Sequence, residues 1–336
     1  MQEPRIVLVL GAGASNPYGF WLGEALKSKV AMRTREMQNG PVSTAYNPVE
    51  LDRFRSAIWR NRLRTIDEFL EEHPRFRQIG ARLVAEEIAS CESEDKLFQP
   101  QDWYTALFDE PRLREEGPEL SRLAIVTFNY ERSLEYFIDD NILHNCPEGR
   151  QDYAHSMWNK VKIVHAHGSI GEYPEIGYGR ALEAVHSGRT AKNLMLLTDK
   201  ADESPAFMEA QQLVAKANRI VFVGFGYHKR TLDFLFPNAS FKGKEIYGTC
   251  FNMSQNRISA VMSYFQDEMQ FAESTLNAKS FMEALSNGPA DRALFSGLDA
   301  MRKAKTGINA PQATTARSFP PAASQSPGVR IVERGG

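Results

Sequence analysis

Arg5–Phe20, "RIVLVLGAGASNPYGF", decides the class of fold. Five aliphatic residues, Ile6–Leu10, run directly into Gly11-Ala12-Gly13-Ala14-Ser15. An unbroken apolar run of that length fits a strand buried on both faces of a parallel sheet. A glycine turn leaving such a strand suits a pyrophosphate. The first glycine permits the tight turn and the second lets the ligand approach the backbone. The start of the next helix adds free N–H groups and the positive end of its dipole. A hydride-transfer enzyme of this kind would also carry Gly or Ala at position 16, and an acid ending a second strand ~20 residues on. Asn16 stands at the first place, and "EALKSKVAMRTREMQ" reads as helix at the second. Both departures count against a dehydrogenase.

Working outward, further apolar runs lie at 124–128, 162–166, 194–198, 220–225 and 245–250, and segments such as 130–139 and 205–218 have helical spacing. Strands alternating with helices predict an α/β fold: a Rossmann-like open parallel sheet with helices on both faces. The first connection is too long for a simple crossover. Its helical pattern predicts a helical subdomain inserted after the first strand, at about 48–116. Arg53, Arg55, Arg60, Arg62 and Arg64 there read as a solvated face paired with neighbouring acids. One domain is expected over 1–290, then a helical end or linker over 291–305. The Pro-, Ser- and Ala-rich stretch 306–336 is expected to be a disordered tail.

Composition narrows the classes. Forty basic and 42 acidic side chains nearly cancel, for a net charge of -2. That gives no bulk attraction to nucleic acid or to an anionic membrane. No apolar run reaches bilayer-spanning length, and the opening residues do not read as a signal peptide. Three scattered cysteines, Cys91, Cys146 and Cys250, suggest neither a disulfide framework nor a cysteine zinc site, so a cytoplasmic location is expected.

Three later segments carry chemistry. In "TFNYE", Asn129 follows a strand end, although Thr127 or Asn129 would also cap the next helix. In "HAHGS", strand alternation places His165 and His167 on one face. Two histidines without a third ligand nearby give no metal site, whereas a His before Gly168 fits a general base beside a close backbone approach. "GFG", at Gly224, Phe225 and Gly226, is a second glycine turn after a strand.

Taken in order, GAGAS, TFNYE, HAHGS and GFG resemble the sirtuin-like family, and "NPYGFWLG" resembles its prokaryotic variants, many of them effectors of anti-phage defence. The resemblance runs from Arg5 to about position 285. It implies cleavage of NAD+, as substrate, to nicotinamide and ADP-ribose, with no metal. Asn129 and His167 would be catalytic. NAD+ would be held by Gly11, Ala12, Gly13, Ser15, Tyr18, Thr127, Glu131, Gly168, Gly224, Phe225 and Gly226. The family also implies regulation by homo-oligomer assembly or by a separate sensor protein. Its protein deacylases carry a four-cysteine zinc module that three cysteines cannot supply, and Glu131 stands where the family has Asp. The alternatives are a deacylase or ADP-ribosyltransferase using the same site, and a non-catalytic module sensing NAD+ or ADP-ribose.

Overall fold

The computed structural model describes residues 6–37, 47–62, 65–99, 103–108, 123–146, 148–187, 204–272, 274 and 277–286. Within them one parallel sheet contains β1 (Ile6–Leu10), β2 (Leu123–Thr127), β3 (Lys162–His165), β4 (Arg219–Val223), β5 (Glu245–Gly248) and β6 (Met269–Phe271). The order across the sheet is β3-β2-β1-β4-β5-β6. The chain steps outward from β1 to β3, then resumes on the other side of β1 with β4. That reversal makes the carboxyl ends of β1 and β4 a topological switch point, the place where open α/β sheets bind ligands. Register brings the strand ends into line: Leu10 lies opposite Thr127 and Val223, and Thr127 opposite His165. Every candidate site residue stands at or just beyond this one edge.

The parallel α/β sheet is the expected class. The run at 194–198 and the tail at 306–336 lie outside the described residues. One strand had no counterpart in the sequence reading: β6 is only Met-Gln-Phe and is defined by pairing with β5, Ile246 opposite Met269.

Strand alternation divides the core in two. Leu8, Leu10, Leu123, Ile125, Val221 and Val223 face one side; Val7, Val9, Ala124, Val126, Ile220 and Phe222 face the other. The first side is covered by the long connection. After the short turn α1 (Ala12–Ser15) come α2 (Gly23–Glu36), α3 (Pro48–Arg60), α4 (Ile66–Glu72), α5 (Arg77–Ala89), α6 (Glu94–Leu97) and α7 (Trp103–Phe108). Local sequence sets their starts. Asn47 Oδ1 accepts from Val49 and Glu50 N–H at 3.0 and 3.3 Å, and Thr65 and Glu68 form a reciprocal capping box. Phe54 meets Phe69 and Phe76 edge-on, at 5.7 and 5.5 Å between centroids. These rings belong to the same core cluster as Leu8 and Val221. The helices of the connection therefore lie against the sheet and share its core.

Past β2 come α8 (Ser133–Asn145), α9 (Gln151–Trp158) and, after β3, α10 (Ala181–His186). The second sheet face packs against α11 (Pro205–Lys216), α12 (Lys229–Leu235) and α13 (Gln255–Tyr264), through Phe207, Leu213, Leu232, Leu235 and Val261. A last helix, α14 (Ala278–Ser286), includes "SFMEAL". Among the described residues no helix is long and apolar enough to cross a membrane.

Candidate functional site

The two glycine turns touch each other. Gly11 N–H donates to Val223 O at 3.1 Å, and Gly13 N–H to Gly224 O at 2.9 Å. A Cβ on Gly11 would lie 2.7 Å from Gly224 O, and one on Gly13 would lie 2.8 Å from the same oxygen. Gly224 has φ +57°, and a Cβ there would fall 2.0 Å from Ala14 N. All three glycines are thus required for backbone to pass backbone at the switch point. That gives the motif a purpose the sequence does not reveal, since the spacing alone suggests room for a ligand at the second glycine. Ala14 N–H returns to Gly11 O at 2.8 Å, so several of the turn's donors are engaged within the protein. The second turn is tied at its other end by Gly224 N–H to Thr249 Oγ1, 2.8 Å.

A buried polar network supports the first turn. Asn129 Nδ2 donates to Gly11 O at 3.0 Å and to Ser15 Oγ at 2.7 Å. Because a carbonyl only accepts, Gly11 O fixes which end of the amide faces the turn. Ser15 in turn donates to Glu131 Oε1. The other carboxylate oxygen accepts from Ser133 N–H at 2.6 Å and from the Ser133 hydroxyl. Burial pushes the Glu131 carboxyl above its ordinary range, partly offset by these donors. Both Glu131 oxygens are therefore occupied inside the fold. Glu131, and neither Thr127 nor Asn129, takes the first N–H of α8. Thr127 Oγ1 instead accepts from Asn129 N–H, 3.1 Å. Asn129 Oδ1 makes no hydrogen bond among the described residues and is the atom this side chain can offer.

Tyr18 is fully buried. It stacks on Tyr104 with centroids 4.1 Å apart, and its hydroxyl accepts from Tyr104 N–H at 3.0 Å. Trp103 Nε1 donates to Ala14 O at 2.6 Å. Tyr18 and Trp103 thus clamp the back of the glycine turn to α7.

β3 ends at His165, so its two-residue alternation ends there as well. The chain turns, with Gly168 N–H donating to His165 O at 3.0 Å and φ +77° at Gly168. The two imidazoles consequently have different surroundings, in place of the shared face expected. His165 Nδ1 lies 2.9 Å from Asn129 O, and its Nε2 lies 2.6 Å from Glu135 Oε1. The carboxylate of Glu135 raises the His165 pKa to about 9 against the opposing effect of burial. His167 is 6% exposed and lies among Phe128, Tyr130 and Phe207, with ring centroids 4.9, 6.3 and 6.1 Å away. Its Nε2 is buried without a hydrogen-bond partner among the described residues. Desolvation lowers its pKa to about 4, so the ring is neutral at physiological pH.

Phe128 joins this box to the second turn through Phe225, 5.3 Å between centroids. Gly226 is exposed, and its carbonyl accepts from Arg257 Nη2 at 2.6 Å. Residues that sequence reasoning missed also reach the site. Asp67 from α4 accepts from Tyr130 OH at 3.3 Å, and burial raises its pKa to about 6. Arg132 is buried against Glu92, with Nη2 2.8 and 3.0 Å from the two carboxylate oxygens. Its Nη1 donates to Ile176 O at 2.5 Å, which fastens the loop after β3 to the layer above the sheet. Pairs such as Glu135 with His165 are 30 positions apart and leave no local pattern.

Among the described residues no group of three or more His, Cys, Asp or Glu is placed to hold a metal ion. No family model matches the chain, and no curated protein matches it.

Proposed function

We propose that the protein is an NAD+ glycohydrolase, releasing nicotinamide and ADP-ribose. The observation that carries this is His167: an imidazole kept neutral by burial, with Nε2 unpartnered, at the carboxyl edge of a sheet in dinucleotide-binding order. A neutral base with a vacant nitrogen is what proton abstraction at a ribose hydroxyl or an attacking water requires. Loss of neutral nicotinamide from the cationic nucleotide passes through an oxocarbenium-like state, as in glycoside hydrolysis. Asn129 Oδ1 would orient the water, and water supplies the hydroxyl that replaces nicotinamide at the ribose carbon. The Gly11 and Gly224 turns would border the pyrophosphate beyond the switch point. A cytoplasmic anti-phage role, with control by oligomer assembly or a separate sensor, belongs to this proposal through the sirtuin-like resemblance alone.

The test is NAD+ cleavage with product identification. Wild type should form nicotinamide and ADP-ribose, and Asn129→Ala and His167→Ala should each lower release at least ~100-fold. Wild-type turnover by the His167 variant would overturn the assignment. O-acetyl-ADP-ribose formed from an added acetylated peptide would replace hydrolysis with deacylation. One observation favours a sensing module instead: Gly11, Gly13 and Ala14 N–H and the Asn129 amide donors are all engaged internally. Saturable NAD+ binding without nicotinamide release in every oligomeric state would establish that second reading.

A further inference from the structure

His165 is the second histidine of the edge, and the hydrolytic step above makes no use of it. Its two ring nitrogens face two groups that only accept. Asn129 O is a main-chain carbonyl 2.9 Å from Nδ1, and Glu135 Oε1 is a carboxylate oxygen 2.6 Å from Nε2. With the Glu135 carboxyl held below its ordinary range by the His165 charge despite burial, both nitrogens donate and the ring is an imidazolium. The bonds it donates are charge-assisted, which makes them stronger than neutral ones. Its side chain is 15% exposed and that of Glu135 is 21% exposed, so water screens the pair only in part.

The residue it grips is the one whose side chain braces the glycine turn. Asn129 is held at its main chain by His165 and at its side chain by Gly11 O and Ser15 Oγ. We infer that His165 and Glu135 are positioning residues: the pair fixes the Asn129 main chain, and so aims Asn129 Oδ1 for the reaction proposed above, a reading on which this inference rests.

Other charges around the pair fit this role. Glu131, in the loop before α8, adds to the negative field at His165, and Arg132 favours the charged form of Glu135. At the far end of β3, Lys162 pairs with Glu209 of α11. The positive ring persists until pH rises through about 9.

Two near-isosteric substitutions separate the two hydrogen bonds. His165→Asn places an amide N–H about where Nδ1 stands, keeping the donor to Asn129 O and losing Glu135. His165→Gln keeps a donor towards Glu135 and loses the one to Asn129 O. The expected result is a kcat about tenfold lower in His165→Gln at nearly unchanged KM, with His165→Asn within about threefold of wild type. Glu135→Gln removes the field that holds the second proton, but a neutral ring can keep its Nδ1–H on Asn129 O, so kcat should stay within about threefold of wild type, as in His165→Asn. Equal loss in the Asn and Gln variants, or no loss in either, overturns the inference, because a merely structural histidine would not distinguish them. Hydrogen exchange over 128–131 supplies a readout independent of turnover. It should quicken in His165→Gln and stay near wild type in His165→Asn. Should wild type release no nicotinamide, the hydrolase reading fails while exchange still decides the clamp. An exchange pattern unchanged by both variants would then reject it.

Discussion

His165 and His167 leave the same strand two residues apart, one among hydrogen-bond acceptors and the other among aromatic rings. Around His165, a carboxylate and a carbonyl draw a second proton onto the ring. Around His167, Phe128, Tyr130 and Phe207 offer no compensation for charge, and the ring stays neutral. Identical side chains thus become a fixed cation and a vacant base. What separates them is desolvation with a counter-charge against desolvation without one. The polar side holds the Asn129 turn in place, and on the proposed reading the apolar side keeps a base ready.

The largest test of this contrast is His167→Leu. It should lower nicotinamide release at least ~100-fold while leaving stability unchanged or raised, because it removes a buried, unpaired polar nitrogen. Loss of activity together with a large drop in denaturation midpoint would mean that His167 is structural.

Stability against pH should show the contrast as two limbs. His167 in the folded chain titrates at about 4, so between pH 4 and 6.5 the unfolded chain binds more protons. Stability from that group is lost as pH falls through this window. His165 in the folded chain titrates at about 9, so its contribution is full below pH 6.5 and is lost as pH rises towards 9. Each limb is worth on the order of 3 kcal/mol. Urea unfolding from pH 4 to 9 should show both, with His167→Leu flattening only the acid limb. If it altered the alkaline limb as well, the two environments would be coupled.

The smallest expected effect is Glu135→Gln, which leaves the His165 ring without its counter-charge. At neutral pH it should cost about 1–3 kcal/mol by chemical denaturation. A cost near zero would show that the pair is dissolved by solvent, and the difference between the two histidines would rest on burial alone.

Much of the frame was legible in the chain itself. β1, β2 and β4 show as apolar runs because strands covered on both faces have no polar side to display. β6 does not, being three residues recognised only by its partner strand. The helical nature of 23–36 was legible from periodicity, and with it the absence of a second strand there. The site was legible as a set of strand-end residues, and less so as a set of contacts. The GAGAS glycines looked like room for a ligand because nothing nearby in sequence announces Gly224 as the neighbour that fills that space. Ser15 and Glu131 meet across 116 positions, and Asn129 meets Gly11 across 118. Glu135 and Asp67 carry no motif.

The sequence by itself determined the elements and the edge on which the candidate residues gather, because strand burial, helix periodicity and turn residues act over a few neighbouring positions. Only the tertiary structure decided what the polar groups at that edge are. Whether a glycine admits a ligand or another backbone, and whether a histidine is charged or neutral, depends on atoms within about 4 Å that arrive from distant parts of the chain.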